Sequence, residues 1–398
     1  MAKVPQTAIE RSAKANVRIN GSRTLRRAMP SKAFLHSKKW KKIRNLLLLV
    51  LGLELFLFSL NFRTVNNAFV PAETWADLKA MFSIPVKTVF DNTFDADTLR
   101  DSLPYYHETV ARFKLSLIAF LSGVIICVGG TAFQTIFKNP IASPNMLGVT
   151  TGVSFGNILF ILTFGLEAGS HLTMRYLYCY VSAAVLVLVA FLAGKLSGKR
   201  MNGFSVEGTI IAGMMISQLG GVATQFYRIK LIEDETGLRE VFQVLTSGDM
   251  IYQDTTSMIL FLGLSILCLF PMVLVRFRFN SVAFDDMEMQ AMGINNGRMR
   301  SIGLVLGSMM TTIALIHCGD VGFLCMVIPF MCRERLQTEF GEVAYLAGMT
   351  GGIVSLAIRI VISMINAQGF AVPAGVITTL ILLPLMIITM ARRGSVFK

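Results

Sequence analysis

The chain has 398 residues, 54% of them apolar and only 15% charged, with a mean hydropathy of +0.61. That balance excludes an ordinary soluble domain or a disordered chain and marks a polytopic membrane protein. The formal charge of +13 is unevenly placed: residues 1–44 hold 13 Lys+Arg against Glu10 alone, and the remainder carries 24 bases against 23 acids.

The basic arm, 1–44, is too polar to bury a core and reads as a disordered cytoplasmic segment. It is too long for a cleaved signal peptide, and no small-residue cleavage site follows the next apolar run. Two readings of it stay open. It is a topology determinant with no further role, or Lys38, Lys39, Lys41, Lys42 and Arg44 also attract anionic lipid. Nucleic acid is not an expected partner.

Ten apolar spans follow. Span 1 covers about Asn45–Leu60, and the polar, acid-rich segment Asn61–Thr109 is an exterior loop. Spans 2 and 3 run from about Leu115 and Met146, separated by Lys138-Asn139-Pro140. Span 4 is about Leu172–Gly194 and leads to a basic inner loop (Lys195, Lys199, Arg200). Span 5 covers Ser205–Tyr227. An outer segment, Arg228–Met250, then contains a short amphipathic helix within LREVFQVLTSG.

Span 6 (Thr255–Val275) delivers the chain to a cytoplasmic segment, 276–300. Spans 7 to 10 are about Ser301–Ile316, Val321–Cys332, Val343–Ile365 and Gly375–Met390. Span 8 is short and contains Pro329, so it is expected to be broken or supplemented by neighbouring backbone. Both termini fall inside, and the short Lys/Arg-rich loops fall inside with them. The fold class is thus all-α and polytopic, with the permease domain at 45–393.

The stretch Gly129–Gly156, GGTAFQTIFKNPIASPNMLGVTTGVSFG, is the most informative. Pro140 and Pro144 each lack an N–H and restrict the preceding residue, so the two apolar runs cannot continue as one helix. Asn139 and Asn145 can bond nearby backbone and hold a tight turn. Gly148 and Gly152 put minimal side chains where helices approach closely. On composition alone, two ordinary packed helices joined by a proline turn explain the pattern equally.

In the segment 276–300, Asp285, Asp286 and Glu288 make an acidic helix start, and Ala291, Met292 and Gly293 an apolar tip ending at a C-cap. Such a helix can seat in a groove of a soluble partner or lie on the membrane surface. His317, Cys318, Asp320 and Cys325 cluster near one end of span 7. Soft ligands of that kind can bind metal, but there is no repeated ligand spacing, and core packing is the simpler account. The six cysteines resemble no disulfide scaffold. No GxxxxGK[ST] loop is present, so ATP would have to be hydrolysed elsewhere. A secondary transporter would need intramembrane acids, and Glu54 is the one clear candidate.

The wording of GG-x3-Q-x3-KNPIASPNMLGVTTG closely resembles the signature of the iron-chelate (siderophore) and cobalamin permeases of bacterial ABC importers. Gln134, Lys138, Asn139, Pro140, Pro144, Gly148 and Gly152 all fall in register. The likeness continues in order through EGTIIAGMMISQLGGVATQF, FDDMEMQAMGINNGRMR, GDVGFLCMVIPFMCR and FAVPAGVITTLILLPLMIITMARR. Phe330 and Leu382 depart from the usual pattern, and the arm 1–44 is extra.

This resemblance implies a permease subunit in the bacterial cytoplasmic membrane that binds no cofactor itself. It implies an ATP-binding-cassette ATPase dimer, holding ATP and Mg, docked on Phe284, Asp285, Asp286, Glu288, Ala291, Met292 and Gly293. It implies an extracytoplasmic substrate-binding protein meeting Arg112, with Lys114 standing in for a second arginine, and Arg359. A second permease copy or paralogue completes the pathway. The expected cargo is a ferric chelate, with haem or a corrinoid next. The residues alone leave Arg359 an internal partner, Glu54.

Overall fold

The computed structural model describes residues 38–61, 96–165, 171–198, 206–232, 255–283, 296–319, 322–336, 339–366 and 373–394. Ten α-helices, and no strands, occur among them: α1 (Lys38–Asn61), α2 (Ala96–Ile136), α3 (Val149–Phe164), α4 (Leu172–Gly198) and α5 (Val206–Ile232), then α6 (Thr255–Phe279), α7 (Asn296–Cys318), α8 (Gly322–Leu336), α9 (Phe340–Asn366) and α10 (Ala374–Gly394). They match the ten expected spans one for one. Seven of them, α1, α2, α4, α6, α7, α9 and α10, are long and apolar enough to cross a bilayer by themselves. The helices α3 and α8, of 16 and 15 residues, are shorter. The longer α5 carries Gln218 and Gln225 in a less apolar sequence.

An all-helical architecture is one of the two that a bilayer permits, because each helix satisfies its own backbone polar groups. The helices divide by burial. In α2 and α7, 72% of the most apolar window is buried, against 17% in α1 and α10. The centre is therefore α2, packed against α9, α7 and α8, with α3, α4 and α5 forming a second group beside α7. Its core includes Phe133, Ile118, Ile125 and Ile136, all essentially inaccessible to solvent. Phe279 and Phe340 stack with ring centroids 4.7 Å apart and join α6 to α9.

Two boundaries differ from the sequence expectation. The helix α2 begins at Ala96, within the segment expected as an exterior loop, although its apolar stretch starts only at Val110. Polarity there shows where water is but does not decide whether the backbone is helical. The helix α4 runs on through Lys195 to Gly198. The amphipathic element expected in LREVFQVLTSG and the whole of Phe284–Gly293 lie outside the described residues.

Candidate functional site

The long helix α2 connects two polar clusters. Arg112 lies at the start of the apolar stretch of α2, Val110–Ile136, and Lys138 just beyond its end, about 39 Å apart at 1.5 Å per residue. The clusters are built differently.

At the Lys138 end, α2 stops and the chain reverses. Lys138 adopts φ 48°, a left-handed conformation uncommon outside glycine. The Asn139 side-chain oxygen accepts from the Ile141 N–H at 3.0 Å, and its carbonyl accepts from the Ala142 N–H at 3.1 Å. This is the local asparagine bonding that the sequence predicts. Pro144 opens a 3-10 turn, Pro144–Leu147, which ends at Gly148. Asn145 holds the next step, accepting from the Thr150 hydroxyl at 2.9 Å and, through its carbonyl, from the Gly148 N–H at 3.1 Å.

The two glycines of this turn act by different means. Gly148 has φ 82°, so its glycine is required by backbone conformation; a Cβ there meets nothing nearer than Ile216 at 3.4 Å. Gly152 is a true close approach, because a Cβ would lie 2.5 Å from the Ala183 Cα of α4. The expectation that both serve helix packing is corrected for Gly148. On the other side the turn rests on α5 at Gly213, where a Cβ would lie 2.8 Å from the Leu147 Cα. The Ser217 hydroxyl also donates to the Asn145 carbonyl at 3.4 Å. The turn thus rests on α5, and the start of α3 that follows it rests on α4.

One turn into the membrane from Lys138, α2 is stitched to α8. Pro329 lacks an N–H, so the carbonyl of Cys325 loses its ordinary intrahelical donor. That carbonyl faces Gly130, where any side chain would collide with it. Beside it the Gln134 side-chain amide donates to the Met326 carbonyl at 2.9 Å, and the Cys127 thiol donates to the Leu324 carbonyl at 3.5 Å. In return Arg333 donates to the Thr131 carbonyl at 3.0 Å and to the Thr135 hydroxyl. The helix α8 therefore continues through Pro329 without breaking. Sequence reasoning quoted Arg333 within a motif but gave it no role; its signal was a cation in a short apolar helix.

At the opposite end Arg112 is buried and donates to the Leu60 carbonyl at 3.3 Å. A cation at the C-terminus of α1 is favourable to the helix dipole. Ser59 donates to the Ser116 hydroxyl at 2.7 Å and ties the same two helices. Arg359 of α9 is half-buried, and Arg112 is a like charge acting on it. Glu54 is exposed and is not its partner, which corrects the internal pairing considered above. Lys114 is half-buried and falls about 200° around α2 from Arg112, so it does not converge with the two arginines.

The cluster around His317 does not form a metal centre. His317 packs between the Tyr176 and Phe261 rings, at 4.8 and 4.9 Å, while the Cys318 thiol points to the Ile118 carbonyl. Among the described residues no group of three or more potential ligands gathers around one point. Asp320 lies outside them. Gln218 and Gln225, seven residues apart on α5, are exposed on an otherwise apolar face with Met214 and Val222. Sequence reasoning passed over both, although a glutamine in a span is itself a signal.

The geometry of the turn and of the α2–α8 seam accounts for the motif residues that carry the sequence resemblance. Residues 77–392 match the profile of the FecCD transport family. The chain belongs to the FecCD transport family. It is 24% identical over 285 residues to an iron chelatin transport system permease protein of Helicobacter pylori, covering 72% of this chain and 82% of that one. It is 23% identical over 297 residues to the molybdate import system permease protein of Haemophilus influenzae, covering 73% and 84%.

The fold superposes on an inward-facing metal-chelate type ABC transporter with a TM-score of 0.67 at 18% identity, covering 87% of this chain and 97% of that one. As a FecCD-type permease the chain is a multi-pass protein of the bacterial membrane and a transport subunit of an ABC importer. Membership sets aside the secondary-transporter reading. The family match excludes the arm 1–44 and α1.

Proposed function

We propose that the chain is one half of a permease dimer that imports a ferric chelate, energised by a separate ATPase pair and fed by an extracytoplasmic binding protein. The observation that carries this reading is the two-ended organisation of α2. A proline turn closes one end, next to the seam that bonds α2 to α8, and Arg112, a like charge acting on Arg359, lies at the far end of the apolar stretch of α2. Two like charges in proximity favour an anionic partner, here acidic groups of a docking protein. The turn belongs on the cytoplasmic side, where Lys138 satisfies the positive-inside rule.

Exposed Gln218 and Gln225 support a pathway at the subunit interface, since polar groups on a membrane face are costly in lipid and belong against water or a partner. The segment Phe284–Gly293 is the coupling element in this reading, with ATP and Mg held by the ATPase. Iron chelate is favoured as cargo by the sequence signature and by the H. pylori relative; haem or a corrinoid follows. Molybdate competes because of the H. influenzae relative.

The test is reconstitution of the chain with its ATPase and binding protein in proteoliposomes. ATP-dependent uptake of a ferric siderophore, outcompeting haem, cobalamin and molybdate, is expected; ATP-dependent uptake of molybdate alone would overturn the cargo. Charge reversal at Asp285 and Asp286, or a bulky residue at Ala291, is expected to leave insertion intact and to uncouple ATP hydrolysis from uptake. Unchanged coupling in such variants would remove the segment from that role.

A further inference from the structure

The basic arm and α1 lie outside the family match, so their charge calls for its own explanation. Residues 38, 39, 41, 42 and 44 are all Lys or Arg and all lie in the first two turns of α1. At 100° per residue these positions fall at about 0°, 100°, 300°, 40° and 240° around the axis, so they spread over about 220° of the helix and leave the rest to Trp40 and Ile43. A helix lying on a membrane surface segregates its bases opposite its apolar residues. Bases over so wide an arc, with Leu46–Val50 apolar just beyond them, suit the end of a spanning helix that enters a layer of headgroups.

The rest of α1 agrees. Lys42 and Ile43 are exposed, and so are Leu46, Leu47, Leu49, Val50, Leu51, Leu53, Leu57 and Phe58. The 16 residues Asn45–Leu60 rise about 24 Å, most of the hydrocarbon thickness of a bilayer. The charged turns then occupy headgroup depth, and Trp40 stands among them, as aromatic side chains do at membrane interfaces. Fixing topology needs an excess of bases but does not need eight more upstream of them, at 3, 11, 14, 18, 23, 26, 27 and 32.

We propose that the basic cluster at the start of α1 is a binding site for anionic phospholipid headgroups of the cytoplasmic leaflet, with the upstream arm adding to the attraction. The inference rests on the cytoplasmic placement of the N-terminus but not on the identity of the cargo. Clusters of four to eight bases next to a spanning helix recruit acidic lipid by charge, an effect that decays over a Debye length of about 10 Å at 0.1 M salt.

The two tryptophans, Trp40 and Trp75, make the test direct. The full-length Trp75→Phe protein, which keeps Trp40 as its single tryptophan, is reconstituted in phosphatidylcholine vesicles containing a minority of phosphatidylglycerol. Bromine is carried on one lipid or on the other. Per mole of brominated lipid, quenching of Trp40 by phosphatidylglycerol should exceed that by phosphatidylcholine at least about fivefold, the factor one basic residue contributes at an anionic surface. The excess should collapse at about 1 M salt, where the Debye length is about 3 Å.

It should also fall toward unity when residues 38, 39, 41, 42 and 44 are changed to Gln. The salt series on the otherwise unchanged chain keeps the proposal testable if that variant inserts poorly. Equal quenching by the two lipids at low salt would overturn it. So would displacement of phosphatidylglycerol by inorganic phosphate or by a short oligonucleotide, which would assign the bases to a soluble anion or to nucleic acid. Failure of iron uptake leaves this measurement untouched.

Discussion

At the scale of single residues, the turn after α2 separates two uses of glycine that look the same in sequence. Gly148→Ala forces a side chain into a left-handed backbone and should cost about 1–2 kcal/mol of stability, with Gly148→Asn recovering part of it. Gly152→Leu instead drives a side chain into the backbone of α4 at Ala183. It should damage assembly outright, whereas Gly263→Leu, which faces open space, should be tolerated. Thermal unfolding followed in detergent by size-exclusion chromatography orders the three; equal effects at Gly152 and Gly263 would contradict the packing described. The role of Asn139 was legible because asparagine before proline has few options. The roles of Gly148 and Gly152 were not distinguishable, because a glycine names neither its φ nor its neighbour.

At the scale of elements, the seam between α2 and α8 explains how a 15-residue helix with an internal proline survives in a membrane. Gly130 leaves room for the Cys325 carbonyl that Pro329 frees, Gln134 donates to the neighbouring Met326 carbonyl, and Arg333 returns bonds to α2. Arg333→Leu should remove a charge-assisted interaction worth about 1.5–3 kcal/mol, and Thr135→Val less, since the Thr131 carbonyl still accepts. A double-mutant cycle of Arg333→Leu with Thr135→Val measures the coupling; a coupling energy near zero would show that the bond does not contribute. The sequence marked Pro329 as a break or a place supplemented by neighbouring backbone, because proline is a local signal. The repair comes from residues about 190 positions away, Gln134 and Met326 being 192 apart. The ten helices were legible from hydropathy alone, while the early start of α2 was not, since polar helices and polar loops share a composition.

At the scale of the whole molecule, the two clusters must face opposite aqueous phases. Replacing Arg359 with Ala should slow association with the binding protein and flatten its salt dependence while leaving the fold intact. Replacing Arg112 should do the same and also loosen α1, because its guanidinium holds the Leu60 carbonyl. Surface-based kinetics across a salt series check both; salt-independent association rates identical to the unchanged protein would remove the arginines from docking. Lys114 should matter least, as it falls on another face of α2. That difference was invisible in sequence, where Arg112 and Lys114 are two residues apart and only the helical turn separates them.

The central claim is that α2 carries a cytoplasmic turn at one end and an outward docking surface at the other. It is tested most directly by introducing single thiols at Asn139 and at Ala111, both exposed, and adding a membrane-impermeant maleimide to intact cells. The native cysteines give little background, five being buried and Cys332 half-buried. The account expects Ala111→Cys to be labelled from outside and Asn139→Cys only after permeabilisation. Labelling of Asn139→Cys in intact cells, with Ala111→Cys protected, would contradict the orientation and with it the assignment of the docking and coupling ends.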